Sequence, residues 1–254
     1  MNVQEPTFAY CIGATKAGTS WLYDYLRSHP QAHVRAVKEL HYFDAIEKDT
    51  RDWHHQWFTK RHDGLAARVA KAPTPESRSE LGDYADLCAL HATNGYDRRA
   101  YRQYLMAGIQ SDQTLVADVT PAYSTLGRDT FKTMAQVAAN TRFIYILRDP
   151  IARLWSHIKM NAARRAHSAE EVPMRANRIF WRFGRGRHPG VWARSDYQST
   201  LQRVNAALAP NQLLVLFYEE LFTNEAVELI CTFLGLKPHK ADFKTRVNEG
   251  TSLP

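Results

Sequence analysis

Apolar residues fall along this chain in two rhythms. Four short runs, 8–12, 115–117, 143–147 and 213–217, are apolar at nearly every position. A strand without alternation is covered on both faces, as in a parallel sheet packed between helices. Over 20–28, 96–109, 128–139, 151–165, 196–208 and 225–234 the apolar residues return with helical spacing instead. This order predicts an α/β fold: one domain over residues 1–254, with a central, mostly parallel sheet flanked by helices on both faces. No internal repeat is visible. Two stretches fit poorly and read as inserted or mobile segments. Residues 62–95 are rich in Ala, Pro, Ser and charge, and residues 166–194 are rich in arginine and broken by Pro173, Gly184, Gly186 and Pro189-Gly190.

Composition narrows the class. A chain of 254 residues with 44% hydrophobic content can bury a full core. The net charge of +7 is unevenly spread: eight arginines lie between Arg164 and Arg194, against only Glu170 and Glu171. Such a patch suits nucleic acid, a membrane surface, an anionic small substrate or bare solvent. The three cysteines, Cys11, Cys88 and Cys231, form neither a zinc pattern nor a disulfide framework. Met1–Pro6 lacks the basic and apolar regions of a signal peptide, and no apolar run approaches the roughly 20 residues of a membrane span. The default expectation is a cytoplasmic protein without a transmembrane segment.

The chemistry begins after the first run. Gly13-Ala14-Thr15-Lys16-Ala17-Gly18-Thr19-Ser20 joins a strand to a helix. There, backbone N–H groups and the helix dipole converge on an anion. Gly13 and Gly18 keep the spacing of the nucleoside-triphosphate loop, but Thr19 replaces its lysine and Lys16 lies inside the turn. The turn suits a phosphate-like group in a P-loop-NTPase-like domain, without matching an ATPase.

A second anion site follows the run 143–147. Asp149 is placed as an N-cap and Pro150 as a first helical residue, which leaves Arg148 at the carboxyl end of a buried strand. Ile151, Leu154, Trp155 and Ile158 share a helical face, and Ser156 lies two turns into the helix. Asp118 could in principle hold a metal. The arginine and the displaced lysine favour instead a highly anionic ligand handled without one.

Together the two segments resemble the sulfotransferases that use 3′-phosphoadenosine 5′-phosphosulfate (PAPS). That family carries a K-x-G-T-[ST] loop for the phosphosulfate and a strand–R-D-P–helix segment, with serine eight residues after the arginine, for the 3′-phosphate. Lys16-Ala17-Gly18-Thr19-Ser20-Trp21 and Arg148…Ser156 match both in order. Lys38-Glu39-Leu40-His41-Tyr42-Phe43-Asp44 is similar to a segment of the heparan sulfotransferase branch. Trp53 with Trp57-Phe58, Thr120-Pro121-Ala122-Tyr123 and Phe233-Leu234-Gly235-Leu236 are further landmarks. Val119 departs from relatives with lysine there. Only Lys244, Arg246, Asn248 and Gly250 remain of a basic strip that covers the cofactor in relatives.

The resemblance implies a soluble, bacterial-type enzyme moving a sulfuryl group from PAPS to a hydroxyl, or an amine, of a carbohydrate, lipid or other small acceptor. The product would be adenosine 3′,5′-bisphosphate. Glu39 would be the general base, Lys16 would stabilise the bridging oxygen, and His41 would orient Glu39, touch the acceptor or simply pack. Lys16, Ala17, Gly18, Thr19, Ser20, Arg148 and Ser156 would bind the cofactor; Trp21 would stack on adenine or join the core. No metal and no nucleic-acid partner are expected. The rival readings are a P-loop kinase using ATP and Mg²⁺, and a nucleic-acid-binding protein using the arginine-rich segment.

Overall fold

The computed structural model describes residues 5–243. The strip at Lys244, Arg246, Asn248 and Gly250 lies outside the described residues, as do residues 1–4 of the amino-terminal segment. In chain order the elements are β1 (Thr7–Gly13), α1 (Thr19–Ser28), β2 (Ala32–His33), α2 (Tyr42–Glu47), α3 (Arg51–Lys71), α4 (Pro75–Ala92), α5 (Arg98–Met106) and β3 (Leu115–Val119). After a 3-10 turn at Pro121–Thr125 come α6 (Arg128–Ala135), β4 (Thr141–Leu147), α7 (Pro150–Ala163), α8 (Glu171–Gly184), α9 (Pro189–Ala193) and α10 (Tyr197–Asn205). A turn at Pro210–Gln212 leads to β5 (Leu213–Phe217) and α11 (Asn224–Leu234).

The five strands form one parallel sheet in the order β2-β3-β1-β4-β5. Every residue of β1 and β3 is buried, so these strands need no alternation. The order reverses at β1, which sends its carboxyl end toward the crevice where such sheets bind ligands. Tyr10 of β1 is wholly buried against Phe43, Tyr101 and Phe143, and this aromatic cluster ties the sheet to α2 and α5. Helix α11 ends on Gly235, whose φ of 73° is the left-handed stop that glycine adopts freely.

The two ill-fitting stretches are helical. Residues 62–95 lie largely in α3 and α4, which pack as a hairpin. Thr74 accepts from the Ser77 amide while Ser77 accepts from that of Thr74, and Pro75 fills the first helical position. In 166–194, α8 buries Val172, Ala176 and Ile179 against Ile158 and Ala162 of α7. Pro173 sits in the first turn of α8, where a missing N–H removes no helical bond. Composition hid both, because each helix buries only a thin apolar stripe. Among the described residues no helix is long and apolar enough to cross a membrane.

Candidate active site

In the turn after β1, Gly18 caps α1 at φ 85° with no side-chain cap, and the first turn carries no acidic residue. The positive end of the helix dipole therefore meets no acidic side chain of its own first turn. Gly18 is also required by space: a Cβ would stand 2.6 Å from Leu221 Cδ2 and 3.2 Å from the Tyr218 ring. Lys16 holds φ 71° inside the turn, a conformation that costs a non-glycine residue on the order of 1–3 kcal/mol. Burial, and then the charges of Arg148, Arg164 and Lys38, push the Lys16 ammonium below its ordinary pKa.

The second segment joins this turn directly. Arg148 Nη1 donates to the Lys16 carbonyl at 2.9 Å, and its guanidinium lies 4.3 Å over the Tyr218 ring. Asp149 caps α7 by accepting from the Ala152 amide at 2.7 Å. On α7 the expected face holds at Leu154, Trp155 and Ile158, which pack with α8, and a second, polar face also turns inward. Arg153, His157, Ile158 and Ala162 are buried, while Ile151 is 78% exposed. Arg153 turns inward because Ser195 Oγ (2.5 Å) and the Thr15 carbonyl (3.5 Å) accept from it. Its Nε has no partner, and no carboxylate pairs with it among the described residues. Ser156 is half-buried on the same helix.

Trp21, read as stacking on adenine or joining the core, is 5% exposed, stacks with Tyr25 and Phe243, meets the edge of Phe222 and donates from Nε1 to the Asp242 carbonyl. Thr19 and Ala17 are buried in the turn, and the Ala17 amide donates to the Ala14 carbonyl at 3.1 Å.

Glu39 and His41 project from the turn between β2 and α2. Both are left-handed, at φ 63° and 51°, while Leu40 and Tyr42 between and after them are buried. That alternation sends the polar side chains one way and the apolar ones the other. Lys38 Nζ lies 2.8 Å from Glu39 Oε1, and His41 Nε2 lies 3.6 Å from Glu39 Oε2. His41 Nδ1 is 2.9 Å from Asp44 Oδ2. Burial opposes ionisation of Glu39, but the His41 contact and the Lys38 ammonium hold its pKa down at about 2. Burial likewise opposes the His41 charge, yet Asp44 and Glu39 raise its pKa to about 9. Glu39 and Lys16 feel each other's charge, as do Arg194 and both Glu39 and Asp44. The lysine, the arginine, the carboxylate and the arginine-rich segment thus share one field.

Three further residues were not visible as site members. Asp44 stands three residues after His41, the spacing that lets side chains meet on a helix. His54 of α3 comes close through the fold, its ring centroid 4.9 Å from that of His41. Potential ligand atoms of His41, Asp44 and His54 lie within 4.8 Å of one another, so this cluster is where a cation could bind. His91 of α4 lies 2.9 Å from the Leu40 carbonyl, bracing the Glu39–His41 turn from the hairpin. Asp118, considered as a metal ligand, is wholly buried with both oxygens engaged by hydroxyls.

A charged depression of about 610 Å³ lies on α8 and the loop after it, lined by Arg178, Trp181, Arg182, Arg185 and Arg187. On α3, Trp53 is 60% exposed, nearly parallel to Trp57, whose ring in turn carries Arg61 at 4.1 Å.

Comparison with known proteins agrees with this geometry. Residues 9–240 match the description of the Sulfotransferase family. Human carbohydrate sulfotransferase 15 is 29% identical over 162 residues, covering 58% of this chain and 26% of that protein; its mouse counterpart is 28% identical over the same length. The chain therefore spans about a quarter of the length of these relatives. The crystal structure of a sulfotransferase from Alicyclobacillus acidocaldarius superposes with a TM-score of 0.59 at 19% identity, covering 96% of this chain and 87% of that one. The sulfotransferase domain of the Synechococcus PCC 7002 olefin synthase gives 0.52 at 15% identity, covering 96% and 82%. These structural likenesses bear on the fold.

Proposed function

This chain belongs to the sulfotransferase family, and we propose that it transfers a sulfuryl group from PAPS to a hydroxyl of a carbohydrate. The observation that carries the reading is the union of Lys16, Arg148 and Glu39 in one field, with the Arg148 guanidinium bonded to the lysine's own carbonyl. A buried, uncapped helix start and a wholly buried Arg153 without a carboxylate partner fit a polyanionic ligand.

PAPS would supply a sulfuryl group already bonded to a phosphate leaving group. Lys16 and the Gly18–Ser20 start of α1 would hold its phosphosulfate end, the Ala17 amide being engaged by the Ala14 carbonyl at 3.1 Å, and Arg148 with Ser156 would hold its 3′-phosphate. Lys16 would offset the negative charge that grows on the leaving oxygen, the kind of contact that preorganised cations make most effectively. Glu39 would take the acceptor proton. Its low pKa keeps it ionised throughout the neutral range, and exchange of the Lys38 contact for an acceptor hydroxyl would restore its basicity. His41, tied back by Asp44, would orient Glu39.

A carbohydrate acceptor is supported by the likeness to carbohydrate sulfotransferase 15 and by the exposed Trp53, a flat apolar surface of the kind a sugar ring covers. The arginines of α8 and the loop after it suit an anionic one. The test is transfer of radiolabel from PAPS to hyaluronan, dextran and a neutral phenol, with calorimetry of adenosine 3′,5′-bisphosphate against ATP–Mg²⁺. Preference for ATP–Mg²⁺ would replace this reading with a kinase.

A further inference from the structure

Glu39 and His41 reach the site only because two left-handed residues persist within a four-residue stretch, and something must hold them there. The holding groups are the backbone amides on either side of His41. The Leu40 amide donates to Thr120 Oγ1 at 2.9 Å, and the Tyr42 amide donates to the Tyr123 hydroxyl at 3.2 Å. A hydroxyl can face an amide as an acceptor only if its own proton is placed elsewhere. Here both protons go to one carboxylate: Thr120 Oγ1 donates to Asp118 Oδ1 at 2.6 Å, and the Tyr123 hydroxyl to Oδ2 at 2.8 Å. The Tyr101 hydroxyl donates to Oδ2 as well, at 2.8 Å. Asp118, Thr120, Tyr101 and Tyr123 are each wholly buried, so no water can substitute for any of them.

We infer that Asp118, enclosed beneath the site and out of reach of any ligand, is the positioning residue of the Glu39–His41 turn. Accepting from three hydroxyls, the carboxylate fixes the polarity of Thr120 and Tyr123, and they in turn fix the two amides. The inference rests on the reading of Glu39 as the base, and it extends the reaction's machinery from the surface turn to the middle of the sheet.

The test uses the full-length protein. Thr120→Val keeps the shape and removes the hydroxyl; Thr120→Ser restores it; Asp118→Asn places an N–H₂ where an acceptor is needed. With radiolabelled PAPS and hyaluronan, Thr120→Val and Asp118→Asn should each lower kcat about tenfold or more, in line with a small displacement of a reacting group. Affinity for adenosine 3′,5′-bisphosphate by calorimetry should stay within about twofold. In NMR titrations the His41 pKa should fall from about 9 toward its ordinary value as Glu39 moves away, and Thr120→Ser should recover both readouts. Unchanged kcat and unchanged His41 titration in Thr120→Val would overturn the inference. If that variant does not fold, Tyr123→Phe carries the same test through the Tyr42 amide. Wild-type turnover in Glu39→Gln would instead remove the base assignment, a failure separable from that of the Asp118 network because His41 titration is read without turnover.

Discussion

Asp44 holds His41 by Nδ1 at 2.9 Å, which leaves Nε2 as the nitrogen that faces Glu39. One carboxylate thereby decides which edge of the imidazole is presented to the other. The pair of contacts also makes His41 an imidazolium at neutral pH, with its pKa raised to about 9.

From this follows a pH dependence. Because the folded pKa of His41 lies above its ordinary value, the stability it contributes is fully present below about pH 6.5 and is lost as pH rises through about 9. Glu39 behaves oppositely: its contribution is present above the ordinary carboxylate range and is lost as pH falls toward about 2. The alkaline limb of kcat/KM is expected near pH 9. Asp44→Asn should move that limb down by about one unit or more, since it removes the anion favouring the charged ring. A limb that stays in place would show that His41 does not govern it.

Lys16→Ala should lower the single-turnover rate of sulfuryl transfer roughly a hundredfold, about 3 kcal/mol of barrier. The fold should persist, since the Lys16 side chain is only half-buried and stands outside the apolar core. Intact transfer and intact nucleotide affinity would remove Lys16 from the site.

Arg194 and Arg148 stand near enough to oppose the charge of Arg153, so a polyanion bound there should raise thermal stability markedly. At a hundredfold excess over Kd, adenosine 3′,5′-bisphosphate should add about 2.7 kcal/mol. In differential scanning fluorimetry this corresponds to roughly 5–10 °C for a chain of this size. Arg153→Met should shrink that shift more than it lowers the melting point of the free protein, because it also removes a buried charge with no carboxylate partner.

Replacing Arg182, Arg185 and Arg187 by glutamine should raise KM for hyaluronan about tenfold at low salt, with the difference narrowing as salt increases. Turnover of a neutral phenol should be unaffected. Equal losses on both acceptors would detach the depression on α8 from acceptor binding.

Turnover is expected to be unchanged after dialysis against EDTA. If activity is lost and a divalent cation restores it, His41, Asp44 and His54 become the first residues to substitute, because their potential ligand atoms already gather within 4.8 Å.

The four strong strands and the two strand-to-helix turns, at Gly13–Ser20 and at Arg148–Pro150, were legible because their signals are local. Gly18, Lys16, Arg148 and Pro150 each act through the backbone beside them. The two-residue β2 was too short to read. The hairpin of α3 and α4 was hidden by its composition, since its buried stripe of Phe58, Leu65, Leu87 and Leu90 is sparse among charged residues. On α7, Leu154, Trp155 and Ile158 pack on the expected face, but the burial of Arg153 was not legible, because Ser195 and Thr15 are partners that local spacing along α7 does not reveal. His54 and His91 likewise acquire their places only through the folding of α3 and α4 against α2, a relation between distant segments.

Tyr218 is a wall common to two loops that lie 132 residues apart. One side of it is so near Gly18 that a single added methyl would press on the ring. Its face carries the guanidinium of Arg148. A methyl's width of change at Gly18 thus bears on the ring against which Arg148 rests, so neither loop can be reshaped without regard to the other.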